Sequence, residues 1–251
     1  LMISVKPTAK GGIAEFHRQS VANETKTYTC QEPVGKDKQA MKTVVIAPNG
    51  HYYLTDGHHT FNAFYHLPKG GGDFHVHVVV ANDYRQLPTM QVFWQAMQHD
   101  GNVWLFDIHS QPILPNQLPK SLGLRHFAND PYRSMLYFTR NISWNKPSSP
   151  VPFLEFYWAK ELRNTINLNQ FDLNSKLGYE QAIKVSSRAI LSLKSSDVGG
   201  SHRSVEQMGQ FKQFHQKGLD KLLKPDGKLD NMLRYKESPD GKRLSALHKQ
   251  R

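Results

Sequence analysis

Apolar and polar positions change period several times along the chain, and each change predicts an element. Val44-Val45-Ile46-Ala47 is a β-branched run, Pro48-Asn49-Gly50 is a turn signal, and Tyr52-Tyr53-Leu54 resumes the strand. That order is the mark of a hairpin. Asp56-Gly57 breaks the strand, and His58 to His66 takes helical spacing with Phe61, Phe64 and Tyr65 on one face. Gly70, Gly71 and Gly72 form a loop, and Phe74 to Val80 (FHVHVVV) predicts a strong strand. Strand, strand, helix, strand implies a small mixed sheet with helices on one side. Thr89 to His99 predicts a helix stopped by Asp100-Gly101-Asn102, and Ile13 to His17 a short one. Pro112, Pro115 and Pro119 make the next stretch extended.

The second half is mainly helical in pattern. Asp130 is placed to cap a helix, with Pro131 at its first position and Tyr132 to Asn141 as its body. Lys146 to Pro152 is a proline-rich, stiff linker. Phe153 to Ile166 predicts an aromatic helix with Phe153, Phe156, Tyr157 and Leu162 toward a core. Gly178 to Leu193 and Ser204 to Leu223 predict two more, joined by residues 195–201. Lys224 to Arg251 reads as a polar, basic stretch that frays at its end. The fold class is α/β in the α+β sense: a small mixed-sheet domain over residues 1–170 and a basic helical extension over 171–251.

Composition narrows the function classes. The 251 residues are 38% hydrophobic and 11% aromatic, enough for a sizeable core in one large or two small domains. No apolar run approaches the length of a membrane span. No charged-then-apolar leader opens the chain at Leu1, and the compartment is left open: cytoplasmic, or exported if a signal peptide preceded Leu1. One cysteine, Cys30, forbids an internal disulfide. The net charge is +11, and residues 171–251 carry 16 Lys+Arg against 9 Asp+Glu. Such an excess suits phosphate-rich partners or anionic surfaces, and equally a solvated basic face.

The most informative corner is Asp56-Gly57-His58-His59-Thr60, where a strand turns into a helix. A helix opening on Gly-His-His offers backbone N–H groups beside imidazoles, a phosphate site. One histidine or Asp56 would move a proton. In the bland alternative Asp56 simply caps the helix.

This corner, followed by a β-branched strand, resembles the ParB/sulfiredoxin fold, and within it the branch called ParB-like nuclease. Asp130-Pro131-Tyr132-Arg133-Ser134 and Phe153-Leu154-Glu155-Phe156-Tyr157-Trp158-Ala159 resemble segments that follow the core in that branch, so the likeness runs from about Val5 to Arg163. The resemblance implies nucleotide or phosphate binding at the corner, with nuclease, phosphotransferase or nucleotide hydrolase chemistry, or DNA binding as a switch. It also implies a nucleoside triphosphate or a divalent ion such as Mg or Mn as candidate cofactors. Many members place an Arg where Thr60 stands, which leaves Arg133 to hold phosphate. Sulfiredoxin chemistry needs a cysteine at the corner, and none is there. A non-catalytic nucleotide- or DNA-binding module, or a secreted toxin or effector on this fold, is the alternative.

The other candidates each have two readings. Arg133 grips phosphate from a helix start, or pairs with Asp130 or Glu155. Glu155, among aromatic residues, acts as acid or base or joins Asp107 or Asp56 around a cation, or pairs with Lys160 or Arg163. His75 and His77 share one strand face and could ligate a metal, or lie exposed while Val76 and Val78 face the core. Trp104, Phe106 and Trp158 read as core residues more than base-stacking platforms. Lys217, Lys221 and Lys224 share a helix face that could touch a phosphate backbone or only water.

Overall fold

The computed structural model describes residues 5–7, 28–30, 33, 35–39 and 41–248. The short helix expected at Ile13 to His17 lies outside them. The chain divides into two compact units. Of the described residues, one takes those up to 105 together with 113–128 and the end of the last helix from 246, and the other takes 106–112 and 129–245. Residues 171–245 therefore share a unit with 129–170.

In the first unit, β1 (Val5–Pro7) pairs antiparallel with β2 (Tyr28–Cys30). The hairpin forms as its pattern predicts: β3 (Thr43–Ile46) pairs with β4 (Tyr52–Leu54), Val44 opposite Leu54 and Ile46 opposite Tyr52. The helix α1 (His58–Tyr65) crosses to β5 (Val79–Asp83), which lies parallel to β3, giving the order β4-β3-β5. The register slips between Val44 and Val45.

Two expectations are corrected here. The strand predicted at Phe74 to Val80 begins only at Val79. β3 offers a ladder just four residues long, so the earlier part of FHVHVVV finds no partner strand. Its alternation survives all the same: Phe74, Val76 and Val78 pack on Phe61, Phe64 and Leu67, while His75 and His77 face out. The helices also flank both faces of the sheet rather than one. Leu54 joins the α1 cluster, whereas its neighbour Tyr53 joins Val45, Ala47, Phe93 and Met97. Adjacent strand residues point to opposite faces, so α1 covers one side and α2 (Met90–His99) the other. Thr89 caps α2, its side chain accepting from Val92 N–H at 3.2 Å.

The second unit is helical: α3 (Pro131–Thr139), α4 (Leu154–Thr165), α5 (Lys176–Ser192), α6 (Gln216–Leu223) and α7 (Lys228–Glu237), followed by α8 (Pro239–His248). One core unites α3 to α7 around the fully buried Trp144, Trp158, Met135, Ile183 and Leu219. Trp144 donates its indole N–H to Thr139 Oγ1 at 3.1 Å and Trp158 to the Met208 carbonyl at 3.0 Å. Trp158 is a core residue, as its aromatic helix suggested.

The helix expected from Ser204 to Leu223 starts only at Gln216. The chain before it runs beside Ile142 to Asn145 instead. Asn145 N–H bonds the Gly209 carbonyl, Phe211 N–H the Ser143 carbonyl, and His215 N–H the Ile142 carbonyl. Gly209 has φ +84°, and a Cβ there would overlap the Asn145 carbonyl oxygen. Long-range pairing thus overrides helical spacing. Lys224 to His248 is also more regular than its polarity suggests, because Leu229 docks in the core and Pro239 opens a new helix; the end expected to fray, 249–251, lies outside the described residues.

Two buried hydroxyls in α5, Ser186 and Ser187, have no hydrogen-bond partner among the described residues. A buried polar group left unsatisfied costs ~1–3 kcal/mol. Ser186→Ala and Ser187→Ala are therefore expected to raise the urea midpoint. A loss of stability in both would show that the hydroxyls are satisfied after all.

Candidate functional site

The corner after β4 is built by the hairpin register. Val45 faces Tyr53 and Val44 faces Leu54. One step further, Thr43 Oγ1 meets Thr55 Oγ1 at 2.8 Å, and Lys42 reaches Asp56 at 2.9 Å. Asp56 thus does not cap α1 with its side chain. The N-cap is Gly57, at φ +99°, and no side chain caps the helix. The Lys42 stem lies directly over Gly57, where a Cβ would come within 2.6 Å of its Cγ. The result is a helix start with no acidic residue in its first turn and a lysine beside it.

Electrostatics sort the corner's groups. Partial burial works to raise the Asp56 pKa, but the Lys42 hydrogen bond and charge and the Gly57 N–H outweigh it and hold the carboxyl below its usual range. Asp56 is an anion at neutral pH and a weak base. His58 keeps surface in water while its ring meets Phe127 edge-on at 6.1 Å. Desolvation and the neighbouring His59 push its pKa below the usual 6.5, against the pull of Asp56. His59 is exposed, and Thr60 is half-buried on the same first turn.

The sign for His58 is definite. Its folded pKa is lowered, so its contribution to stability is full above pH 6.5 and declines as pH falls from there through the folded value. A bound anion acts the other way and raises the pKa. Anion binding near pH 6.5 is therefore expected to take up protons. Calorimetry in buffers of different ionisation enthalpy reads this directly, and zero uptake would remove His58 from the contact.

α1 is held by residues that the sequence pattern did not single out. Buried Asn62 donates to the His58 carbonyl at 2.8 Å and accepts from Gly123 N–H at 2.8 Å. His66 Nε2 accepts from Leu124 N–H at 3.1 Å. Lys42 was missed too. Its signal was the hairpin centre at Asn49, which places Lys42 and Asp56 at equal distances. Asn62 could have been found as a polar residue between Phe61 and Phe64 on an apolar stripe.

Arg133 and Glu155 belong to the other unit and meet each other. Arg133 pairs with Glu155 at 3.2 Å and lies over the Phe156 ring at 5.3 Å. Asp130 caps α3, accepting from Tyr132 and Arg133 N–H, and binds Arg163 at 2.8 Å. The pairing reading of Arg133 and Glu155 is the one seen, although Glu155 takes neither Lys160 nor Arg163. Asp107 also lies in this unit and braces its own loop, accepting from His109 and Gln111 N–H at 2.8 Å each. Among the described residues no three His, Cys, Asp or Glu side chains gather to hold a metal ion. His75 and His77 have no third such ligand beside them among the described residues.

The corner, α3 and most of α4 fall within one family match. The family described as "Putative ParB-like nuclease" matches residues 5–164, which include the corner, α3 and nearly all of α4. None of the curated proteins matches the chain. Among solved structures the chain is similar to protein Atu1540 from Agrobacterium tumefaciens. The identity is 25%, over 60% of this chain and 74% of that one, with a TM-score of 0.49.

Proposed function

We propose, for a chain that belongs to the ParB-like nuclease family, that the corner binds the phosphate of a nucleotide or nucleic acid and supports phosphate-ester chemistry there. The observation that carries the reading is the start of α1. It has no side-chain cap, a left-handed Gly57, Lys42 alongside and two histidines in its first turn. Free N–H groups at a helix start favour an anion. His58, His59 and Thr60 make that first turn behind Gly57, whose own N–H serves Asp56, and Lys42 supplies the cation that Thr60 does not.

His58 is the proton-moving group in this reading. Largely neutral at pH 7, it accepts a proton from an attacking water or hydroxyl and returns it to the leaving oxygen. Asp56 keeps Lys42 in place and orients it. Arg133 and Glu155 bind one another across α3 and α4 in the other unit. No step is routed through a metal; a divalent ion arriving on a triphosphate is one arm of the test below.

A second reading is a binding module without turnover. The observation in its favour is that Asp56 and Glu155 are both held in ion pairs, leaving only imidazoles to move protons.

The test is a thermal-shift screen of nucleoside mono-, di- and triphosphates, with and without magnesium, manganese and zinc, followed by turnover assays. A ligand at a hundredfold excess over its Kd stabilises by about 2.7 kcal/mol. Lys42→Ala removes a charged hydrogen-bonding group and leaves Asp56 unpaired beside the anion. Its binding is expected to weaken by roughly 1.5–3 kcal/mol. His58→Ala with binding retained and turnover lost supports the enzyme. Binding without turnover in the wild type supports the module. No stabilisation by any nucleotide sinks the small-nucleotide reading.

A further inference from the structure

The helical unit carries an open surface hollow that the corner's chemistry does not use. It has a volume of about 350 Å³, opens to solvent, and lies where the end of α3 meets the start of α6. Asn141, Gln213, Phe214, His215, Gln216 and Lys217 line it. Three are amide side chains, and those of Asn141 and Gln213 hold no hydrogen bond among the described residues. Asn141 stands in the left-handed region at φ +68°, at the turn that ends α3. His215 already stacks on Phe211, with ring centres 4.2 Å apart and planes 23° from parallel.

Lys217 is the cation in the lining, and further cations stand on the elements that supply it. Arg140, one residue before Asn141, lies over the exposed Tyr137 ring at 5.5 Å, and Lys228 approaches the same ring at 5.0 Å. Lys217 and Lys221 are exposed on α6. None of these four forms an ion pair among the described residues. The carboxylates nearest in sequence are engaged elsewhere: Asp226 with Arg234 at 2.6 Å and Asp230 with Lys176 at 2.7 Å. Asp220 accepts from the Gln216 amide at 2.7 Å and is the one carboxylate on α6.

We propose that this hollow receives one unstacked base of a single-stranded nucleic acid, with the flanking cations on its phosphates. Each part matches a chemical need of that ligand. Amide side chains pair with base edges. An exposed imidazole, already stacked on a phenyl ring, offers its outer face to a base. Unpaired lysines and an arginine follow the backbone. A duplex keeps its bases stacked and cannot place one in the hollow, and a membrane surface has no use for the amides of Asn141 and Gln213. The site stands apart from the corner in chemistry and makes the partner a polymer rather than a free nucleotide.

The experiment is fluorescence anisotropy of the full chain with a labelled mixed-sequence single strand of about 20 nucleotides, longer than common single-strand site sizes. The matching duplex and anionic vesicles serve as competitors. The single strand is expected to bind more tightly than the duplex, with affinity falling as salt rises. Lys217→Glu changes one exposed side chain and is expected to weaken strand binding roughly tenfold and to flatten the salt slope. His215→Ala is expected to erase the preference for single strand over duplex. Lys217→Glu binding within about twofold of wild type overturns the proposal, as do tighter duplex binding or displacement by vesicles alone. Nucleotide-induced stabilisation of Lys217→Glu separates the two sites. If nucleotides stabilise neither protein while Lys217→Glu loses the strand, the corner reading fails and this one stands.

Discussion

Trp158→Ala is expected to destabilise the helical unit by about 3–5 kcal/mol, the usual cost of removing a large buried aromatic residue. Trp158 has no exposed surface and sits in the core that joins α3 to α7. Its indole N–H also satisfies the Met208 carbonyl in the segment before α6. Removing it opens a cavity and strands that carbonyl, which adds a desolvation cost of ~1–3 kcal/mol where no water replaces it. Against a typical total of about 5–15 kcal/mol, much of the unit's stability would go. Trp158→Phe separates the two contributions, because it keeps most of the volume and loses the N–H. Urea unfolding followed by circular dichroism measures both. A change below about 1 kcal/mol for the alanine variant would mean that this core repacks freely.

Gly57→Ala is the second large effect, and it links stability to the proposed function. At φ +99° a non-glycine residue is strained by about 1–3 kcal/mol. The added Cβ also meets three carbons of the Lys42 stem at 2.6–2.9 Å, which forces Lys42 away from Asp56. Gly50→Ala is the control: Gly50 has φ +79° but nothing within 4 Å of a new Cβ. Both variants carry backbone strain, and only Gly57→Ala disturbs the corner. The expected result is a similar loss of melting temperature with nucleotide stabilisation kept in Gly50→Ala and lost in Gly57→Ala. Equal ligand stabilisation in the two would place the phosphate elsewhere.

Much of this architecture was readable from short-range pattern. The turn at Pro48-Asn49-Gly50, the Thr89 and Asp130 caps, and Pro131 at a helix start all depend on residues within four positions of one another. Each forms as its local chemistry dictates. The alternation of Phe74, Val76 and Val78 with His75 and His77 held too, even though no ladder forms there, because burial follows side-chain direction and not hydrogen bonding. The family was legible through three short segments, and the match over residues 5–164 spans them all.

What failed was everything decided by a partner distant in sequence. Ser204 to His215 has helical spacing, yet its backbone bonds Ile142 to Asn145. The helices cover both sheet faces because Tyr53 and Leu54 each found a separate cluster. Of the two partners that the sequence offered Arg133, Asp130 and Glu155, only the packing of α3 on α4 chose Glu155, 22 residues away. The Lys42–Asp56 pair, 14 residues apart, gives the corner its cation.

The chain by itself thus determined its α+β class, its hairpin, its capped helices and the Gly-His-His corner, since turn, cap and periodicity energies are local. Tertiary structure alone decided which charges at that corner are paired, which helix starts where, and which side chains share a hollow. Those outcomes depend on packing between segments far apart in sequence, where one buried carbonyl or one lysine stem outweighs the local preference of a dozen residues.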